Sequence, residues 1–211
     1  MGKIRILLAD DHVMVRKGLK QILDETHDMH VAGEASNGVE VLDKIHQSDW
    51  DVLVLDIAMP GMGGIDVLKR LHDEKSTLPV LILSSYSPEQ YALRLMKSGA
   101  AGYMTKESAP DELVLAIRRV AQGRKYISPS VAELLSENLS DPAIQSPHEL
   151  LSDREFQVMC QFAQGKTASE IADILSLSVK TISTYRSRIL TKMHMKNNAE
   201  LTHYAVKNGL A

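Results

Sequence analysis

Through the first 125 or so residues, short runs of β-branched and leucine-rich positions alternate with stretches in which apolar residues recur every three or four places. Runs near 4–9, 30–35, 52–56, 80–84 and 102–105 have the length and composition of strands, while 13–24, 38–47, 64–74, 88–98 and 110–122 carry the helical period. Val52-Leu53-Val54-Leu55 shows no polar alternation at all, so a strand there is apolar on both faces and suits the middle of a parallel sheet. Five successive strand–helix pairs predict an α/β doubly wound, five-stranded parallel sheet. Helix punctuation agrees: Asn37-Gly38, Gly63-Gly64 and Ser87-Pro88 precede helical stretches, Ala109-Pro110-Asp111-Glu112 puts proline and acids in a first turn, and Gly123 stands where a helix ends.

The pattern then changes. From Ser128 to Leu150 the chain turns to Ser, Pro, Asn and acids, which predicts a linker over 126–150 with one short helix near 130–138. Beyond it no strand pattern appears. Residues 152–164, 168–175, 179–194 and 199–208 read as four helices, broken at Gly165, Ser176 and Asn197-Asn198. The expected domains are thus 1–125 and a small all-α unit over 151–211, with no internal repeat.

Composition narrows the class. Hydrophobic residues make up 44% and charged residues 24% of the chain, ordinary for a globular protein. The apolar start, Ile4 to Ala9, lacks signal-peptide architecture, and no run reaches membrane-spanning length, so the expected location is the cytoplasm, away from membrane. The single cysteine, Cys160, excludes an intramolecular disulfide and a cysteine-based zinc site, and reads as a small core residue. Charge is uneven along the chain. Residues 1–127 hold 16 Lys/Arg and 18 Asp/Glu, 128–150 hold none and 4, and 151–211 hold 8 and 5. The C-terminal part is therefore the half suited to an anionic partner.

Candidate chemistry gathers at the C-terminal ends of the expected strands, where open parallel sheets place their ligands. Asp10 and Asp11 follow the first strand, Asp56 closes the third, Ser84 the fourth, and Lys106 follows the fifth. Three carboxylates at one edge repel unless a cation lies among them, and hard oxygen ligands suit Mg2+. A carboxylate nucleophile, a cation, a hydroxyl and an ammonium together fit phosphoryl transfer onto aspartate. A dinucleotide fold is disfavoured, since the loop after the first strand, Asp10-Asp11-His12-Val13-Met14, has no glycine. A haloacid-dehalogenase-like phosphatase is disfavoured too, because its nucleophile would follow the first strand with a second acid two positions on, whereas here the two acids are adjacent and Asp56 stands apart. The eight histidines show no metal-ligand spacing, although His12 lies beside the acid pair.

With these residues in place, positions 4–122 resemble the receiver domain of two-component response regulators, carried by Asp10-Asp11, Asp56, Met59-Pro60-Gly61, Gly64, Ser84, Tyr103 and Lys106. The resemblance implies a flavodoxin-like fold with Asp56 as phospho-acceptor. It implies Mg2+ held by Asp10, Asp11, Asp56 and the Ala58 backbone carbonyl, Ser84 and Lys106 on the phosphoryl oxygens, and Tyr103 as an aromatic switch. Glu107 departs from the proline that many receivers carry after the lysine.

In the C-terminal part, Ser176-Leu177-Ser178 joins two helical stretches, and no carboxylate occurs between Asp173 and Glu200 while Lys180, Arg186, Arg188, Lys192 and Lys196 do. A short turn before a one-sign helix fits a helix-turn-helix whose second helix enters the major groove. Leu151-Ser152-Asp153-Arg154-Glu155, Gly165-Lys166-Thr167, Glu170-Ile171-Ala172, Leu177-Ser178, Lys180-Thr181-Ile182 and Tyr185 resemble the LuxR-type domain of NarL/FixJ regulators, with a tail similar to the Gac-type global regulators of that family. The resemblance implies Ser183, Thr184 and Ser187 toward base edges, and Lys180, Thr181, Tyr185, Arg188 and Lys192 toward phosphates.

The expected function is a phosphorylation-dependent, DNA-binding transcriptional regulator and not a turnover enzyme. Its expected partners are a sensor histidine kinase, double-stranded DNA with paired half-sites and a second copy of the chain, with room for RNA polymerase. Two alternatives stay open at this level: a pseudo-receiver with constitutive DNA binding, and an aspartate-based phosphatase.

Overall fold

A computed structural model describes residues 2–108, 110–140 and 146–210. Ala109, read as the start of a helix, and Pro142 of the linker lie outside the described residues. The chain divides into two compact units, Met1–Glu133 and Leu134–Ala211.

In the first unit, β1 (Ile4–Ala9), β2 (Met29–Ala35), β3 (Val52–Leu55), β4 (Val80–Ser84) and β5 (Gly102–Thr105) alternate with α1 (Val13–Asp24), α2 (Gly38–Gln47), α3 (Gly64–Asp73), α4 (Pro88–Lys97) and α5 (Pro110–Ala121). All strands pair in parallel in the order β2-β1-β3-β4-β5. β3 is buried at every position, as its unbroken apolar run requires. Ile6, Leu8, Val52, Val54, Leu81 and Leu83 pack on one side of the sheet with Leu23 of α1 and Leu113, Ile117 and Val120 of α5. Alternation sends Leu7, Leu53, Leu55, Ile82 and Tyr103, all fully buried, to the other side. Strand order reverses between β1 and β3, and that reversal opens a crevice at their C-terminal ends.

The first unit runs past the expected boundary at 125. Tyr126 is buried, its N–H donates to the Ala101 carbonyl at 2.9 Å, and it bridges to Gly102, so the chain after α5 is stitched back to the sheet. A helix, α6 (Pro129–Ser140), follows, a little longer than the segment read from the linker.

The second unit holds a 3-10 turn (Pro147–Leu150), α7 (Asp153–Ala163), α8 (Ala168–Leu175), α9 (Val179–Lys192) and α10 (Asn198–Lys207). Local side chains set the helix starts. Ser152 and Glu155 form a capping box on α7, Thr167 and Glu170 another on α8, while Ser178 and Asn197 cap α9 and α10. Cys160 is wholly buried in α7, as a core residue should be. No described helix is long and apolar enough to cross a membrane.

Candidate functional site

Polar residues reach the sheet's C-terminal edge because each strand runs out of apolar sequence there. The Asp10 N–H donates to the Ala35 carbonyl at 3.1 Å, and the Asp56 N–H donates to Ala9 at 2.8 Å, so both acids are held by sheet bonding one residue past their strands. Asp10 and Asp56 are 1% and 2% exposed, so two carboxylates are almost wholly buried side by side. Lys106 answers that charge. Its Nζ lies 2.6 Å from Asp56 Oδ2 and 2.6 Å from Asp10 Oδ2, one ammonium shared by two acids.

The other oxygen of each acid faces elsewhere. Asp56 Oδ1 accepts the Ala58 N–H at 3.1 Å, and Asp10 Oδ1 accepts the His12 N–H at 2.8 Å. Burial pushes the Asp56 carboxyl upward, an effect that Lys106 and the Ala58 hydrogen bond oppose and the neighbouring Asp10 charge reinforces. For Lys106, burial works against the charge, but Asp56 and Asp10 outweigh it and raise its pKa, so it stays cationic. Arg16 adds a further tether, donating from Nη1 to the Asp10 carbonyl at 2.6 Å and pairing with Glu34 through Nε at 3.3 Å.

Close approach of α3 completes the pocket. A Cβ on Gly64 would sit 2.1 Å from the Asp56 carbonyl oxygen, so only glycine lets α3 start there. Gly61, at φ +69°, makes the turn that leads into it. Ser84 is fully buried at the end of β4, with Oγ accepting the Tyr86 N–H at 3.1 Å. Tyr103 is also buried, its hydroxyl donating to the Tyr86 carbonyl at 2.7 Å, and its phenol is pushed up by burial against a hydrogen bond with Ser84. The Tyr103 ring is therefore turned inward, tied to the loop after β4.

Ligand atoms from Asp10, Asp11, His12 and Asp56 all lie within 4.8 Å of one another. Asp11 Oδ1 is buried without a hydrogen bond, and the set is acceptor-rich, so these residues fit a divalent cation. His12 belongs to this group, although histidine spacing along the chain gave no sign of it; only its position beside Asp10-Asp11 pointed there. Glu107, where many receivers carry proline, sits in the turn after β5 without displacing Lys106.

In the second unit, α8 ends at Ser176 in the left-handed conformation (φ 52°), Arg154 donates to the Leu175 carbonyl at 3.2 Å, and Ser178 starts α9. Ile182 and Ile189 face the core, while Leu190 is only half-buried. Lys180, Ser183, Thr184, Ser187, Arg188 and Thr191 are exposed and recur at helical spacing, forming one outward face. Three residues expected on DNA have structural partners. Lys192 Nζ donates to the buried Glu155 at 2.6 Å, Thr181 Oγ1 lies 2.8 Å from Ser178 Oγ in the cap, and Thr184 Oγ1 donates to the Lys180 carbonyl at 3.0 Å. Tyr185 is half-buried. Arg186 Nε donates to Asn198 at 2.6 Å and so pins the start of α10.

A parallel receiver-type sheet with an acid crevice, joined to a helix-turn-helix, defines a response regulator. Residues 6–118 match the response regulator receiver domain, and residues 149–205 match the bacterial regulatory proteins of the luxR family. The chain belongs to the NarL/FixJ family of response regulators, with a receiver and a LuxR-type DNA-binding domain. Among curated relatives, response regulator UvrY of Escherichia coli (strain K12) is 35% identical over 98% of this chain and 95% of its own length. Response regulator GacA of Pseudomonas aeruginosa is 36% identical over 98% and 97%. Among solved structures, the RcsB response regulator of Salmonella typhimurium is similar over 99% of both chains, with a TM-score of 0.72 and 26% identity. RcsB from Salmonella enterica serovar Typhimurium has also been solved bound to a promoter in the presence of the phosphomimetic BeF3−, and matches with a TM-score of 0.61 at 26% identity over 96% of this chain and 98% of that one.

Proposed function

We propose that Asp56 accepts a phosphoryl group from a sensor histidine kinase and that this change controls dimerisation and DNA binding by the second unit. The observation that carries the reading is the shared ion pair: Lys106 Nζ stands 2.6 Å from both Asp10 and Asp56, two acids that are almost wholly buried. In the transfer, a carboxylate oxygen of Asp56 attacks phosphorus, the donor's P–N bond breaks and its electron pair returns to the imidazole. A divalent cation, Mg2+ for oxygen ligands, would be held by Asp10, Asp11, Asp56 and the Ala58 carbonyl, and would supply charge neutralisation on the transferred group. Lys106 keeps a positive charge beside the new phosphoryl oxygens, and Ser84 offers a hydroxyl once its present bonding yields.

The readout is DNA. Lys180 and Arg188 contact phosphates, Ser183, Thr184 and Ser187 face base edges, and two copies engage paired half-sites in the cytoplasm. The protein turns over no external substrate; RNA polymerase is a further partner. Similarity of fold and sequence to a regulator solved on promoter DNA with a phosphomimetic supports this reading.

Phosphotransfer tests the acceptor. Wild type incubated with a labelled acyl phosphate and Mg2+ takes up label, and Asp56→Asn takes up none; label that persists in the variant removes Asp56 as the acceptor. Salt-dependent DNA binding measured with and without the donor tests the switch, and equal affinity would mean that binding is constitutive.

A further inference from the structure

The hydroxyls on the outward face of α9 are of two kinds. Thr184 Oγ1 donates to the Lys180 carbonyl at 3.0 Å, and two turns further along Thr191 Oγ1 donates to the Ser187 carbonyl at 3.0 Å. Ser183 and Ser187, exposed on the same face, make no side-chain hydrogen bond among the described residues. A hydroxyl has one proton to donate. In Thr184 and Thr191 that proton is used by the helix's own backbone, whereas the two serines keep theirs for a partner.

Helix stability does not favour threonine at 184. The position is exposed, threonine is a weaker helix former than alanine, and a bond back to the carbonyl one turn earlier slightly destabilises a helix. Hydroxyl and methyl branch from the same Cβ, so with Oγ1 folded back on the helix the γ-methyl is what this side chain offers outward. Thr184 also lies in the first half of α9, the part of a recognition helix that meets base edges, on one stripe with Lys180 and Ser187. In the major groove only thymine displays a methyl group, and an apolar contact with it separates A·T from the other pairs.

We infer that Thr184 determines sequence specificity by apolar contact of its γ-methyl with the methyl of a thymine, and not through its hydroxyl. This rests on the reading that α9 enters the major groove of DNA. Direct hydrogen bonding to base edges then falls to Ser183 and Ser187, whose hydroxyls are uncommitted.

Duplexes selected from a random-sequence pool by the full-length protein, with and without an acyl phosphate donor, supply the probe, and their thymines are replaced one at a time by deoxyuridine, which lacks only the methyl. Expected for wild type is a thymine in each half-site whose replacement weakens binding by about fourfold, the size expected for one buried methyl group. Thr184→Ser, which keeps the hydroxyl and removes the methyl, should weaken the thymine duplex by about the same factor and lose the deoxyuridine penalty at that position alone. Thr184→Val, which keeps the methyl and removes the hydroxyl, should retain the penalty. A merely structural role would weaken the thymine and deoxyuridine duplexes alike, so a penalty that persists in Thr184→Ser, or one that vanishes in Thr184→Val, overturns the inference. Wild type that responds to base changes but to no deoxyuridine overturns it while leaving base reading by α9 intact. Wild type that enriches no sequence overturns the reading of α9 itself.

Discussion

The acid crevice and the outward face of α9 solve opposite electrostatic problems. In the crevice, Asp10 and Asp56 are almost wholly removed from water and depend on one shared ammonium, so each group is irreplaceable and its neighbours are few. On α9, Lys180 and Arg188 stand in solvent among hydroxyls, and the charge is spread along the helix. A reaction at a carboxylate needs a fixed, desolvated group with its counter-charge in place, because interactions strengthen where water is excluded. DNA needs the reverse: accessible cations that displace counterions, each replaceable at modest loss. One residue should therefore carry the crevice, whereas the α9 face should degrade in small steps.

Removing Lys106 is the sharpest way to break that contrast. Lys106→Ala leaves two buried carboxylates uncompensated, and stability to urea without divalent ions should fall by about 3–5 kcal/mol. Added Mg2+ should recover much of it and bind more tightly than to wild type, because its competitor is gone. A stability loss that Mg2+ leaves unchanged would mean that the ion does not take the place of the ammonium. Gly64→Ala comes next: a methyl group 2.1 Å from the Asp56 carbonyl forces α3 away, with an expected cost of about 1–3 kcal/mol and weaker metal binding by calorimetry.

The α9 face is probed by comparing two cations. Arg188→Ala should lower the salt dependence of DNA binding by about one unit of slope and leave thermal unfolding nearly unchanged. Lys192→Ala should do the opposite, costing about 1 kcal/mol of stability because Glu155 loses its partner, with little change in slope. If both variants shift the slope alike, Lys192 leaves Glu155 when DNA binds.

The smallest expected effect concerns a half-buried pair of the first unit. Arg118 holds Asp28 through two hydrogen bonds of 2.7 and 2.9 Å and draws its pKa from 3.8 to about 2, against an opposing effect of burial. The folded value lies below the unfolded one, so the pair stabilises above pH 4 and that contribution is lost as pH falls toward 2. Carboxyl titration by NMR should show Asp28 returning to an ordinary value in Arg118→Gln.

Strand-end chemistry was legible because a parallel sheet turns sequence position into spatial position. Once Val52 to Leu55 is recognised as a central strand, Asp56 can only emerge at the edge where Asp10, Ser84 and Lys106 also emerge. Helix faces were less legible. Lys192 reads as a phosphate contact along the chain, yet a residue 37 positions earlier, Glu155, engages it. The return of Tyr126 to Ala101 and Gly102 is not legible for a similar reason, since it follows a helix-ending glycine and nothing local announces it.

The sequence by itself determined the alternation of strands and helices, the helix caps, the set of acids and the lysine at the strand ends, and the one-sign stretch of the second unit. These follow from periodicity, turn chemistry and charge, all of which act within a few residues. Tertiary structure alone decided which oxygen of Asp10 faces Lys106, that Gly64 must yield room to Asp56, that Lys192 is tied to Glu155, and that His12 reaches the acids. Those outcomes depend on distances of a few ångströms between residues far apart in the chain, and only packing sets such distances.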